Sequence, residues 1–136
     1  MMLFQKSLFY VWPLVLLFIS LSGCRQQKQV DVQRLSEIDL SNQNDITLLD
    51  VRTLKEVNEG YIKGARHLDF FDSSFKSRLS EFDKSKTYYV YCKSGGRSSK
   101  TVELMQEMGF ANVYNVVGGF SAWVKSNYPI SNVPMN

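Results

Sequence analysis

Within Cys92-Lys93-Ser94-Gly95-Gly96-Arg97-Ser98 a nucleophile, two adjacent glycines and a cation stand close enough in the chain to act on one another. The segment follows the apolar run Tyr88-Tyr89-Val90-Tyr91 and leads into residues with helical spacing, so the order is strand, tight loop, helix. That order brings the backbone N–H groups of residues 93 to 98 around the Cys92 sulfur, and the unpaired N–H groups at a helix N-terminus attract negative charge. A thiol attacks only as thiolate, and a free pKa of about 8.5 leaves a few per cent ionised at neutral pH. Each unit of lowering takes about 1.4 kcal/mol of differential stabilisation. Gly95 and Gly96 allow the curled backbone whose consecutive N–H groups form an anion nest. Lys93, Ser94 and Ser98 complete the loop. Such a cradle asks for no metal, no cofactor and no neighbouring histidine.

Arg97 adds to this reading. A cation in the first turn of a helix opposes the macrodipole, so its place calls for an anion nearby. The loop by itself leaves a second reading open: a buried structural cysteine ending a core strand, followed by a turn whose glycines serve geometry alone.

The surrounding pattern is that of an α/β domain. Apolar, β-branched runs at Ile46 to Val51, Thr87 to Tyr91 and Val113 to Val117 read as strands, with weaker candidates at Val30 to Val32 and Ala65 to Leu68. Between them Leu35 to Leu40, Leu54 to Asn58, Phe75 to Phe82, Ser98 to Met108 and Phe120 to Asn127 read as helices. In the fourth of these, Val102, Met105 and Met108 recur every third residue, Leu104 and Met108 are four apart, and Gly109 supplies a stop. The alternation predicts a mainly parallel central sheet of about five strands flanked by helices. In such a sheet ligands bind beyond the carboxyl ends of the strands, where Cys92 sits. Asp50 and Arg52, in Leu48-Leu49-Asp50-Val51-Arg52, stand at another such end.

The chain begins with an export signal. Lys6 precedes the apolar stretch Leu8 to Leu21, which is too short for an ordinary membrane-spanning helix of about 20 residues. Leu21-Ser22-Gly23-Cys24 resembles a bacterial lipobox, which implies cleavage before Cys24 and acylation of its sulfur. The expected organisation is a signal peptide over residues 1–23, a lipidated cysteine and short polar tether over 24–29, and one domain over 30–136. The expected place is the cell envelope, lipid-anchored outside the cytoplasm on the periplasmic side of either membrane or at the cell surface; Arg25 gives no acidic cue that would choose between them. Several acyl chains make a stable anchor. Loss of Lys6 with the signal leaves 15 of the 16 Lys and Arg residues against 13 Asp and Glu. That balance, with no basic block, offers no footprint for nucleic acid. Of the chain's 2 cysteines, Cys92 is then the sole free thiol, which excludes a dithiol mechanism within the chain.

Three segments, in order, are similar to the single-domain rhodaneses, a sulfurtransferase family. Leu48-Leu49-Asp50-Val51-Arg52 with Glu56, Gly60, Ile62 and Gly64-Ala65 resembles the leading signature, Cys92 to Ser98 the active-site loop, and Gly118-Gly119-Phe120-Ser121-Ala122-Trp123 the closing motif. The resemblance implies that the Cys92 thiolate takes the outer sulfur of a small anionic donor such as thiosulfate, becomes a persulfide, and passes the sulfur to a thiol or cyanide. It implies that the loop N–H groups stabilise thiolate and persulfide while Arg97 and Lys93 orient the donor. Asp50 is then an acid bonded to loop amides, and Arg52 its partner or a pocket residue. Gly119 and Trp123 serve a turn and the core. Tyr61 stands where the family often has histidine and His67-Leu68-Asp69 where asparagine-isoleucine-proline is usual, so His67 is a packing or surface residue. Two rivals remain at this point. Phosphatases and arsenate reductases of related fold place one more residue between cysteine and arginine than the four between Cys92 and Arg97, and the shorter cradle favours sulfur. A binding module that had lost catalysis would typically have lost the cysteine.

Overall fold

The runs of alternating burial end in one layer. In the computed structural model, which describes residues 26–41 and 44–135, the strands are β1 (Gln29–Val30), β2 (Ile46–Asp50), β3 (Arg66–His67), β4 (Thr87–Tyr91) and β5 (Asn112–Val116). They form a five-stranded sheet in the order β1-β5-β4-β2-β3, every pairing parallel. Parallel neighbours require crossovers, and the connecting chain supplies α1 (Val32–Ser36), α2 (Leu54–Asn58), α3 (Phe75–Ser80), α4 (Gly96–Glu107) and α5 (Gly119–Lys125). The expected α/β class with a parallel sheet of about five strands is the observed one.

Because a strand turns successive side chains to opposite faces, the sheet feeds two cores. Leu49, Tyr88, Val90, Cys92 and Val113 pack on one face against Phe75 and Leu79 of α3 and Val102 and Met105 of α4. Leu48, Tyr91 and Val116 pack on the other against Leu35 of α1 and Trp123 of α5. Burial on both faces is why the strands read as nearly continuous apolar runs.

Element ends differ from the sequence reading where a side chain bonds the backbone. The first strand stops at Val30 because the Asp31 carboxylate accepts from Arg34 N–H at 2.8 Å and caps a helix there. That helix therefore starts at Val32 and closes at Ser36, and the span from Glu37 to Leu40 expected as helix is not. The strand expected over Ala65 to Leu68 is the two-residue β3. The helix expected from Ser98 starts at Gly96, while Gly109 ends it as expected, with φ +95° and its N–H on the Gln106 carbonyl. The tether is partly domain. Gln27 exchanges hydrogen bonds with Ser99, its amide reaching the Ser99 carbonyl at 2.7 Å and its oxygen accepting from the Ser99 hydroxyl at 2.9 Å. The Lys28 carbonyl accepts from Asn115 N–H, so the domain's bonding begins at Gln27 rather than Val30. The segment 1–23 expected as a signal peptide and Cys24 lie outside the described residues. Among those described, no helix is long and apolar enough to cross a membrane.

Leu49 is wholly buried between the β2 neighbours and α4, whereas Leu54 is 57% exposed. Leu49→Ala is expected to cost about 2–5 kcal/mol in urea unfolding and Leu54→Ala less than about 0.5 kcal/mol.

Candidate active site

Cys92 is the first residue after β4, and the loop it opens closes three residues later. Gly95 takes φ +109°, a region closed to most side-chain-bearing residues, and its N–H reaches back to the Cys92 sulfur at 3.1 Å. A Cβ there would meet only ordinary contacts, so backbone conformation rather than space demands glycine. Ser98, fully buried in the first turn of α4, holds its hydroxyl 3.5 Å from the same sulfur and 2.7 Å from the Asn115 side-chain amide on β5, so that its one proton is within reach of either. Cys92 itself is 1% exposed. Burial pushes its thiol pKa up. The Ser98 hydroxyl and the N–H groups of Ser98, Gly95 and Ser94 outweigh burial and hold it below the ordinary value.

The loop rests on α5. Gly119 adopts φ +56°, and a Cβ there would lie 2.4 Å from the Cys92 carbonyl oxygen and 2.9 Å from that of Lys93. The absence of that carbon lets Phe120 N–H donate to the Cys92 carbonyl at 2.8 Å and Ser121 N–H to the Lys93 carbonyl at 2.9 Å. With both carbonyls drawn onto α5, the amides that follow are left to the sulfur. Trp123, nearly buried, donates its indole N–H to the Pro129 carbonyl at 3.0 Å and anchors this helix. Gly119 and Trp123 thus serve the turn and the core as expected.

The charged residues are committed to one another. Arg97 forks both guanidinium nitrogens onto Glu56, each at 2.8 Å, and Glu56 also accepts from the Thr53 N–H and hydroxyl in a capping box that starts α2. The anion that Arg97 answers first is this carboxylate, with the Cys92 sulfur as a second. Lys93 remains exposed beside the loop, while Arg97 stitches the N-terminus of α4 to that of α2 and also faces the Cys92 sulfur. Asp50 and Arg52 form a buried pair, with Arg52 Nη2 2.6 Å from Asp50 Oδ2 and Nε on both oxygens. Asp50 also accepts from Arg52 N–H, and Arg52 Nη2 donates to the Gly60 carbonyl at 2.8 Å. The guanidinium lies 3.9 Å from the Phe120 ring centre. Asp50 is thus a structural acid bonded to the amide of the turn after β2, and Arg52 both pairs with it and lines a cavity beside the loop. His67 donates to the Arg52 carbonyl at 2.8 Å, a positioning bond for that turn.

Glu56, Asn115 and Phe120 carry weight the sequence reading did not assign them. Asn115 carried a signal, a polar side chain inside the apolar run Val113 to Val117. Glu56 stood three residues after Thr53, legible as a helix cap, but nothing in the spacing pointed to Arg97, 41 residues on. Among the described residues no group of acids, histidines or cysteines could hold a metal.

A rhodanese-like domain model matches residues 36–126. This chain belongs to the rhodanese family. A sulfurtransferase of Allochromatium vinosum is 32% identical over 102 residues, covering 75% of this chain and 92% of the relative. The thiosulfate sulfurtransferase GlpE of Coxiella burnetii is 31% identical over 105 residues, covering 77% and 95%. A rhodanese-related protein of Thermoplasma volcanium superposes with a TM-score of 0.68 at 27% identity, covering 78% of this chain and 99% of its own. The alternation of parallel strands and helices seen here is the rhodanese fold.

The Glu56 carboxyl is held at about 2 against an ordinary 4.5, lowered first by Arg97 and then by Thr53, with burial opposing. The unfolded chain takes this proton near pH 4.5 and the folded chain only near 2. The stability this pair contributes, reduced by solvent screening, is thus present above pH 4.5 and lost as the pH falls towards 2. Glu56→Gln is expected to be less stable than wild type at pH 7 and to lose less further stability between pH 4.5 and 2, as read from urea midpoints.

Proposed function

We propose that this rhodanese-like protein is a sulfurtransferase that carries sulfane sulfur as a persulfide on Cys92. The observation that carries the reading is the ring of donors around one sulfur: the N–H groups of Ser94, Gly95 and Ser98 and the Ser98 hydroxyl. These donors favour the thiolate that attacks and would equally favour the terminal charge of a persulfide. In the first half-reaction the Cys92 thiolate attacks the outer sulfur of a donor such as thiosulfate. The new S–S bond forms as the donor's own S–S bond breaks, and sulfite leaves with that electron pair. In the second, cyanide or a thiolate attacks the outer sulfur and the bond to Cys92 breaks, returning the pair to Cys92 as thiolate. Relatives named thiosulfate sulfurtransferase support thiosulfate as a donor. Lys93, exposed beside the cysteine, is the cation in position to meet an incoming anion.

Phosphoryl transfer is disfavoured by the same geometry. The two terminal nitrogens of Arg97 are each bonded to Glu56 at 2.8 Å, and the four residues between Cys92 and Arg97 make a shorter cradle than a phosphatase loop. The lipobox-like Leu21-Ser22-Gly23-Cys24 supports an envelope lipoprotein. If Cys24 carries the lipid, two residues separate it from Gln27, which is bonded to α4, so the domain rides close to the membrane surface.

Intact mass spectrometry of protein purified from membranes tests both parts. With thiosulfate the mass is expected to rise by one sulfur atom, with the rise absent in Cys92→Ser, and the untreated mass is expected to correspond to an acylated chain beginning at Cys24. An unchanged mass in thiosulfate together with hydrolysis of an aryl phosphate would overturn the sulfurtransferase reading. A mass retaining residues 1–23 would overturn the lipoprotein reading.

A further inference from the structure

A cavity of about 310 Å³ flanks the Cys92 loop, with Lys93 and Ser121 on its rim and Phe120, Val124 and Ile130 as its apolar wall. The wall is built. The segment that carries Ile130 is strapped back onto the body by Tyr61 and Ser131, which exchange backbone hydrogen bonds at 2.9 and 2.8 Å, and by the Trp123 bond to Pro129. Close packing sets Ile130 against Gly60, where even a Cβ would come within 3.1 Å of the Ile130 side chain.

The charges around this cavity divide into spent and unspent. Arg52 is held by Asp50 and the Gly60 carbonyl, and Glu56 by Arg97 and Thr53. Lys93 and Glu59 also line it, both are exposed, and neither forms a salt bridge among the described residues. The cavity therefore offers one cation beside the cysteine, one carboxylate, and an apolar surface between.

That set does not suit a small dianion such as thiosulfate, which has no use for an apolar wall and would be repelled by Glu59. The volume lies at the lower end of small-molecule sites, roughly 300–1,000 Å³. We propose that the cavity is the acceptor subsite and that it takes a low-molecular-weight thiol bearing both a carboxylate and an ammonium group, an amino-acid-type thiol. Lys93 receives the carboxylate, Glu59 the ammonium, and the Phe120–Val124–Ile130 wall the carbon chain. The inference rests on the sulfurtransferase reading and deepens its second half-reaction. The acceptor thiol gives its proton to solvent, and its sulfur forms a bond to the outer sulfur of the Cys92 persulfide. The bond to Cys92 breaks, its electron pair stays on Cys92, and the acceptor leaves as its own persulfide, with no further oxidant or reductant.

The test separates the two half-reactions. Full-length protein is loaded with thiosulfate and freed of donor, and the loss of the added sulfur is followed by intact mass in subsaturating L-cysteine, in N-acetylcysteine, which lacks the ammonium, and in cyanide. Because the two thiols differ in acidity, the readout is the change in their rate ratio between wild type and Glu59→Gln. The ratio of L-cysteine to N-acetylcysteine is expected to fall about fivefold in Glu59→Gln, as one partly exposed ion pair allows. Loading by thiosulfate and discharge by cyanide are expected to be unchanged. A second variant, Ile130→Ser, is expected to slow both thiols but not cyanide. Normal loading with the same thiol ratio in wild type and Glu59→Gln would overturn the subsite alone. Failure of wild type to load from thiosulfate would overturn the sulfurtransferase reading, and the subsite with it.

Discussion

The contact between Gly119 and the carbonyls of Cys92 and Lys93 is the constraint on which the site depends. Two N–H groups at the start of α5 bind those carbonyls at 2.8 and 2.9 Å, and this is possible only because no Cβ stands between them. Once the carbonyls are turned onto α5, the chain from Ser94 onward presents N–H groups to the sulfur. A buried thiol left to itself is driven towards the neutral form. Here the donors exceed burial and the thiol pKa falls below its ordinary value. The reactive cysteine and the glycine-glycine motif 26 residues later are thus two halves of one turn.

Charge pairing fixes the frame around that turn. The Asp50–Arg52 pair is fully buried, and removing one partner of such a pair typically costs about 3–5 kcal/mol because the other charge is stranded. Arg52 joins the end of β2, the Gly60 carbonyl and the Phe120 ring. Glu56 and Arg97 do the same for the N-termini of α2 and α4. Both pairs tie down cations that the sequence alone would offer to an anion, although Arg97 still faces the Cys92 sulfur from its place on Glu56. The geometry suits a small reagent that can reach a sulfur of which little is exposed.

Much of this was legible in the chain. Strand positions followed from apolar runs buried on both faces, and the loop followed from a cysteine, two glycines and an arginine in fixed spacing. What was not legible depended on contacts across long separations. The role of Arg97 is set by Glu56 on another helix, and that of Ser98 by Asn115 on another strand. The first helix was displaced because Asp31, a poor residue in strand or helix interiors, is a good cap, and capping outweighed the periodicity of Leu35, Ile38 and Leu40. The tether was misread for a related reason. Gln26 to Gln29 are polar, and polarity alone does not reveal that Gln27 finds matching partners on Ser99.

The claim at the centre is that this fold holds Cys92 as a thiolate more readily than an unstructured chain does. Titration of thiolate absorbance with the Cys24→Ser chain, folded in buffer and unfolded in urea, measures that difference on a single cysteine. The account predicts a lower midpoint in the folded protein, and a folded-state midpoint that rises towards the unfolded value in Ser98→Ala. A folded midpoint equal to or above that of the unfolded chain would contradict it.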